Sequence, residues 1–360
     1  MIRLRLPFRK KEEFPEEFLA LDLGGKLLKV FLFSAKGGSA SGGKVEGDYV
    51  RLLGARKAPR GEAESDSVKA GEALKEIVED LKSDFPDLPK ISVVGVSGPH
   101  IIAFTTVVRS SLAKSADEIV DQAREAALRQ AQGELRQNLG DPKLSLVELE
   151  AEVLEVKEAE KLELYLFTSF GEKNHLRDLE ALVRQAGLSL WGFSSSPFNL
   201  VGALSVENEL NALIFDIGGK KTEISLAFGG GLMDTKSFRW DLSQSKTNPT
   251  LFLDLWFNAV SDALGTFEEV KTFPSRILLT GGGASFPDLV ERAKDFPWGR
   301  EHSFDSVPEV EIISKDELGG IHAEGTGLDL PEDILPFSLG RVALRVKEEP
   351  EEVAEDKEEE

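Results

Sequence analysis

One short pattern occurs twice in this chain and restricts its possible folds more than any other feature. An apolar strand ends in Asp-aliphatic-Gly-Gly and a second apolar strand follows, first at Leu21–Gly25 and again at Phe215–Gly219. The two copies lie too far apart for a solenoid repeat. They predict a duplicated domain whose halves, or lobes, face a cleft. A chain of 360 residues is also too long for one hydrophobic core, which favours two lobes.

Composition excludes several classes of protein. The chain has no cysteine, so disulfides and Cys-ligated metals are ruled out, and its four histidines form no ligand-spaced pair. The formal net charge of −21 argues against nucleic-acid binding, which needs basic surface. No apolar run approaches the roughly 18 residues of a spanning helix, and the N-terminus lacks a signal peptide's apolar stretch.

Hydrophobic periodicity predicts an α/β chain with an inserted block. A helix is expected around Leu74–Leu81, and Leu251–Leu264 is apolar on most faces, which indicates a buried helix. The block at 114–190 reads helix, strand, strand, helix, with Ser115 and Asn174 as the predicted helix caps. Strands are predicted at Phe18–Asp22, Leu28–Phe33, Ile91–Val96, Ile101–Val108, Leu146–Val156, Leu162–Thr168, Ala212–Ile217, Thr222–Phe228, Leu232–Phe238 and Ile277–Thr280.

The two ends of the chain carry opposite charge. Met1–Lys11 alternates apolar residues with five cations, a pattern that can lie on an anionic membrane; the alternative is a frayed first strand or an unstructured leader. Residues 347–360 hold nine acids and two lysines, which predicts a disordered acidic tail. The Gly/Ser-rich stretch Lys36–Lys44 reads as a flexible hairpin tip.

Glycine-rich turns suit phosphate binding, because backbone N–H groups converge there without Cβ obstruction. An Asp before such a turn can hold Mg²⁺ through water. Singly, each turn is usually only a tight turn; three in order, each after an apolar strand, predict a nucleotide cleft. The candidate ATP-binding residues are Asp22, Gly24, Gly25 and Lys26 in the first turn, Asp216, Gly218, Gly219, Lys220 and Thr222 in the second, and Gly281, Gly282 and Gly283 in the third, with Asp22 and Asp216 as the Mg²⁺ candidates.

This order of motifs resembles the actin/Hsp70/sugar-kinase superfamily, and within it the FtsA cell-division group and the PilM group of type IV pilus assembly. Val96–Ile101, Ala186–Leu188, Ala212–Ile224 and Ile277–Ala284 carry the resemblance, which spans roughly 18–345. It implies a two-lobed fold of duplicated ribonuclease H-like domains. The expected parts are a basic leader 1–17, a first lobe 18–113, an inserted SHS2-type interaction subdomain 114–190, a second lobe 191–346 and the acidic tail 347–360.

The chain departs from the family pattern at the nucleotide site. The second turn reads Asp216-Ile217-Gly218-Gly219-Lys220-Lys221-Thr222, where the family usually has Gly and Thr in place of the two lysines. These lysines either pair with phosphate or fill its space. The first turn lacks the small hydroxyl residues that usually follow its glycines, and Lys26 or Lys29 is the candidate to compensate for them. The family usually has a further subdomain between Asp216 and Gly281, but here Trp240–Thr250 leads almost directly to the next helix. The second lobe is therefore expected to be truncated. No catalytic residue is assigned.

The resemblance implies a scaffold at the cytoplasmic face of the inner membrane, at most a weak ATPase. Its partners would be the tubulin-like ring protein and other division proteins, or the cytoplasmic tail of an inner-membrane pilus protein held beside the inserted subdomain. The segment Val96–Ile101 favours the division group slightly, and self-association is left open. A small-molecule kinase of the same fold is the alternative of another class, with Asp216 as its candidate base.

Overall fold

The fold consists of two β-sheets with helices on their faces. The computed structural model describes residues 14–35, 49–60, 67–110, 116–158, 162–206, 209–242, 248–267, 270–323 and 327–348. The predicted leader Met1–Lys11, the cap Ser115, the stretch Lys36–Lys44 and the tail from 349 onward lie outside these residues. No helix among the described residues is long and apolar enough to cross a membrane.

The first sheet has six strands and forms the centre of the first lobe. Its order is β14-β3-β2-β1-β4-β8, in which β1, β2 and β3 are antiparallel neighbours and β4 and β8 run parallel to β1. The strands are β1 (Glu17–Leu23), β2 (Leu27–Ser34), β3 (Val50–Pro59), β4 (Ile91–Val96), β8 (Ser189–Ser195) and β14 (Ile321–His322).

Helices cover both faces of this sheet, which explains why β1 is apolar at successive positions. Leu19 and Leu21 face one hydrophobic cluster, and Phe18 and Ala20 face another. All four are 0% exposed, as expected for a strand buried on both sides. The covering helices are α1 (Ser67–Asp84) and α3 (Lys173–Gln185) on one face, and α4 (Ser196–Leu204), α7 (Ile334–Ser338) and α8 (Arg341–Glu348) on the other.

The second sheet has eight strands and carries the second glycine turn. Its order is β13-β12-β9-β10-β11-β5-β7-β6. Helices α5 (Pro249–Leu264) and α6 (Pro287–Asp295) cover it. The prediction for α5 is mostly confirmed, although Leu251 and Leu255 are 52% and 49% exposed. The strands are β5 (Ile101–Ser110), β6 (Leu146–Glu158), β7 (Leu162–Glu172), β9 (Ala212–Ile217), β10 (Lys221–Phe228), β11 (Gly231–Arg239), β12 (Arg276–Thr280) and β13 (Glu309–Ile312).

The block predicted as an insertion extends the second sheet. Helix α2 (Ala116–Leu139) packs on β5 and β7, and β5 joins β11 where Phe104 pairs with Asp234. Strand β5 precedes the predicted start at 114, while α3 lies inside the block but packs against α1 of the first lobe. The bounds 114–190 stay a prediction. One detail was wrong: α3 is capped by Glu172, whose carboxylate accepts from the Asn174 and His175 amides, and not by Asn174.

A buried ionic cluster joins the inserted block to the C-terminal helix. Glu150 of β6 is 2% exposed. Arg345 of α8 donates to it at 2.6 Å, and its guanidinium lies 4.7 Å from the centre of the Phe198 ring. Ser169, Ser194 and the Ser195 amide also donate to this carboxylate, at 3.0, 2.7 and 2.9 Å. Four donors therefore compensate one buried charge, as a buried carboxylate requires.

Candidate functional site

The β1–β2 and β9–β10 turns face each other across a cleft of about 820 Å³ between the two lobes. The cleft wall includes ten of the predicted ligand-binding residues: Asp22, Gly24, Gly25, Lys26, Asp216, Gly218, Gly219, Lys220, Gly281 and Gly282. Gly283 packs on Ile217, so a methyl group there would lie 2.1 Å from its Cγ2. Thr222 is 0% exposed and accepts a hydrogen bond from Trp256 Nε1 at 3.0 Å. The structure therefore brings the three turns together but directs Thr222 into the core.

The third turn is pressed against the second. Gly281 has φ of 81°, a left-handed conformation that favours glycine. A Cβ at this position would lie 2.4 Å from Asp216 Oδ1, so no side chain fits. The Gly281 amide and the Thr280 hydroxyl both donate to the Pro331 carbonyl, at 3.1 and 2.9 Å. The segment Pro331–Asp333, a single 3-10 turn, therefore lies directly on this glycine turn.

Asp22, a candidate Mg²⁺ residue, is ion-paired within the first lobe. Lys29 Nζ lies 2.8 Å from Asp22 Oδ2 and donates to the Glu332 carbonyl at 2.6 Å. Burial lowers the pKa of Lys29, but the charge and hydrogen bond of Asp22, together with the charges of Asp216 and Glu332, raise the pKa above its ordinary value. Lys29 is therefore a cation that faces Asp22 at neutral pH.

The Pro331–Asp333 segment is held to the first lobe by a second lysine. Lys57 Nζ of β3 lies 3.0 Å from Glu332 Oε1 and 2.8 Å from Asp333 Oδ1. Asp333 is 0% exposed. Together with the Pro331 contacts to Thr280 and Gly281, these bonds connect the two lobes at the cleft floor.

Two lysines of opposite lobes share one carboxylate. Lys26 of the first turn lies 3.2 Å from Asp241 Oδ1, and Lys220 of the second turn donates to Asp241 Oδ2. Asp241 follows β11, and the neighbouring Leu242 amide donates to the Gly219 carbonyl at 3.1 Å. The predicted ligand residue Lys26 therefore extends across the cleft and binds a carboxylate of the other lobe.

Lys221 crosses the cleft in the opposite direction. Its ammonium group donates to the Ser97 hydroxyl and lies 3.5 Å from Glu223 Oε2. Ser97 belongs to the first lobe, at the end of β4. The neighbouring Gly98 has φ of 92°, and a Cβ there would lie 2.5 Å from Lys221 Cδ. The aliphatic part of Lys221 thus packs on first-lobe backbone.

Asp216, the second candidate Mg²⁺ residue, lies in a crowded acidic position. Desolvation raises its pKa to about 6; Lys221 opposes this rise, while Glu223 and Asp22 add to it. Desolvation also raises the pKa of Glu223. The two carboxyls, together with Asp22, compete for the positive charge of Lys221 and Lys29.

One arm of the cleft runs beside the N-terminus of α3. His100 and His175 stack there with ring centres 4.6 Å apart. Burial, with the charges of His100, Lys221 and Arg60, lowers the pKa of His175 to about 4, so this ring is neutral at pH 7. Asn174, Asp178, Leu179 and Leu182 also line the arm. Both polar and apolar residues therefore contribute to the wall of this arm.

The residues present do not fit a magnesium nucleotide as they are arranged in this structure. The carboxylate of Asp22 binds the Lys29 ammonium, and the side chain of Lys26 covers Gly219, the middle of the second turn. Among the described residues no three His or acidic side chains are placed to hold a metal ion together. The predicted ATP and Mg²⁺ site stays a prediction.

Several residues that form ion pairs at or near the cleft were missed at the sequence level. They are Lys57, Asp241, Glu332 and Asp333. No local pattern marks them, because their partners lie up to 276 residues away in the chain. Ser97 lies inside the resemblance segment Val96–Ile101, which is the signal that could have identified it.

Comparison with known proteins supports the fold. No family model matches the chain, and no curated protein matches it. A solved structure described as the PilM–PilN type IV pilus biogenesis complex matches with a TM-score of 0.64 and 16% identity, covering 93% of this chain and 100% of that one.

Two further solved structures match less well. The ethanolamine utilization protein EutJ of Carboxydothermus hydrogenoformans has a TM-score of 0.47 and 12% identity, over 91% of this chain and 89% of that one. MreB5 of Spiroplasma citri, bound to ADP, has a TM-score of 0.45 and 11% identity, over 93% and 100%. The two sheets, the facing turns and the match over nearly the whole chain confirm the predicted two-lobed, actin-like α/β fold.

Proposed function

We propose that this chain is an actin-fold scaffold of type IV pilus assembly that binds a short cytoplasmic segment of an inner-membrane pilus protein. The observation that carries the proposal is the fold match to the PilM–PilN complex, which extends over 93% of this chain and all of the matched one. The division role, which the sequence favoured slightly, gains no support from that match. The scaffold would act at the cytoplasmic face of the membrane, where such a segment is available.

The partner segment would bind along the arm beside α3. This arm lies between the first lobe and the block predicted as an interaction subdomain, and it is open to solvent at Asn174 and Asp178. Its wall offers the exposed side chains of Asn174 and Asp178 to polar groups of the segment. Binding an extended peptide in this arm would not require a catalytic reaction in the cleft.

Fluorescence anisotropy with labelled peptides tests this function. The peptides would cover the cytoplasmic N-terminal segments of the membrane proteins encoded beside this chain's gene, titrated with the full-length protein. We expect one pilus-type segment to bind and Asp178→Arg to weaken it at least tenfold, about 1.4 kcal/mol. Asp295→Arg, an equally exposed aspartate on α6 outside the cleft, is the matched control.

Two results would contradict the proposal. The first is no binding by any pilus-type segment together with binding by a division protein. The second is ATP turnover that depends on one small molecule from a substrate panel, because that result would establish the kinase alternative.

A further inference from the structure

We infer that the chain's own lysine side chains hold the cleft closed. They bridge the two lobes and fill the space that a magnesium nucleotide would need. The lysine bridges do not depend on which partner the chain binds.

Lys26 forms the first bridge. It leaves the first lobe, and its aliphatic chain lies on Gly219 of the second lobe so closely that a methyl group there would lie 2.5 Å from its Cδ and 2.7 Å from its Cγ. Its ammonium group then reaches Asp241 of the second lobe at 3.2 Å. The side chain therefore covers the backbone of the second turn, which is the surface that would approach phosphate.

Lys221 forms the second bridge in the reverse direction. It starts on the second lobe, its aliphatic chain lies on Gly98, and its ammonium group binds the Ser97 hydroxyl of the first lobe. Because the two lysines cross in opposite directions, opening the lobes would break both contacts together. Each contact joins an ammonium group to a defined acceptor, so the closed geometry is specific.

Lys29 neutralises the carboxylate that would face the metal. Its ammonium group lies on Asp22 and on the Glu332 carbonyl, and its side chain is 10% exposed. A divalent cation near Asp22 would meet this fixed positive charge at short range and would have to displace it. A nucleotide would also compete with Asp22 and Asp241 for the lysines, so its binding would oppose closure instead of driving it.

The distance between the lobes tests the inference directly. The chain contains no cysteine, so Glu76→Cys on α1 and Glu291→Cys on α6 give one label on each lobe of the full-length protein. Pulsed electron paramagnetic resonance then measures the distance distribution. The same pair is placed in Asp241→Asn, which removes the charge shared by Lys26 and Lys220, and in Lys26→Met, which keeps the aliphatic chain. Asp329→Asn, whose carboxylate is 68% exposed and pairs with Lys315, is the matched control.

We expect one narrow peak for the wild type, unchanged by millimolar Mg²⁺–ATP, and a broader distribution at longer distance in both bridge variants. The control should keep the wild-type peak, and far-ultraviolet circular dichroism shows that each variant is folded. If one bridge variant does not fold, the distance distribution of the other bridge variant provides the test. A narrow, unchanged peak in a folded bridge variant would overturn the inference. A wild-type peak that is broad without nucleotide and narrows when Mg²⁺–ATP is added would overturn it equally.

Discussion

The buried carboxylate of Glu150 makes the C-terminal helix a strong test of the packing. Arg345→Met removes the charged member of the four groups described above as donors to this carboxylate, and it keeps an apolar chain over Phe198. The side chains of Arg345 and Glu150 are 13% and 3% exposed, so water cannot replace the lost charge. Breaking a buried pair from one side costs ~3–5 kcal/mol. Because Ser169, Ser194 and the Ser195 amide still donate, we expect the lower end, about 3 kcal/mol.

A double variant tests whether the loss of stability in Arg345→Met comes from leaving the Glu150 charge uncompensated. Glu150→Gln combined with Arg345→Met leaves no uncompensated charge, and the glutamine oxygen still accepts from the serine donors. The double variant should therefore be more stable than Arg345→Met alone, since removing both members of a buried pair costs less than removing one. Additive losses would instead require the two side chains to act independently.

Urea denaturation followed by circular dichroism measures these free energies of unfolding. The matched control is Arg292→Met, because Arg292 pairs with Asp254 on the surface with side chains 36% and 48% exposed. An exposed pair contributes only ~0–1 kcal/mol. The reasoning is refuted if Arg345→Met costs no more than this control, or if the double variant is less stable than Arg345→Met.

Two further changes probe the second and third turns. The folded chain holds the Asp216 proton up to a pKa of about 6, against an ordinary value of 3.8. Unfolding therefore releases a proton between these values, and the contribution of Asp216 to stability falls by roughly 1–3 kcal/mol as pH rises through them. Glu223, whose pKa is also raised, remains in Asp216→Asn, so urea denaturation of this variant should show a shallower fall in stability with pH, and an unchanged profile would contradict the reasoning. Gly281→Ala sets a methyl group 2.4 Å from Asp216 Oδ1 and should cost ~2–5 kcal/mol. Gly327→Ala, with φ of 64° and open space, should cost only ~1–2 kcal/mol; equal losses would refute the crowding.

Local sequence pattern predicted the strands well, because their apolar runs are continuous and end at glycine turns. The same reasoning misplaced Thr222. A hydroxyl after a glycine turn suggests phosphate, yet Thr222 is the second residue of β10 and lies on the side that faces α5, where it meets Trp256 Nε1. Helix α7 was missed because Pro336 lies inside Ile334–Ser338 and Gly340 follows it, both of which argue against a helix. Tertiary packing overrides those local signals.

The ion pairs around the cleft could not be predicted from local sequence pattern. Lys26 and Asp241, or Lys57 and Asp333, become neighbours only after both lobes have formed. The sequence left two alternatives for Lys220 and Lys221, namely pairing with phosphate or filling its space. The contacts of Lys221 support the second alternative, because its aliphatic chain lies on the Gly98 backbone of the opposite lobe. Lys26, the candidate to compensate in the first turn, likewise lies on Gly219 of the opposite lobe.

The glycines of the turns acquire a different explanation from this geometry. Gly219 leaves room for Lys26, Gly98 leaves room for Lys221, and Gly281 leaves room for the Asp216 carboxylate. In the closed cleft, each of these glycines lies against a side chain of the protein itself. A glycine pattern that is typical of nucleotide binding would therefore persist in a chain that binds none. The cations around the glycines then distinguish a nucleotide-binding cleft from a closed one, because phosphate needs cations that are available to pair with it. In this chain Lys26, Lys29 and Lys221 bind protein groups instead.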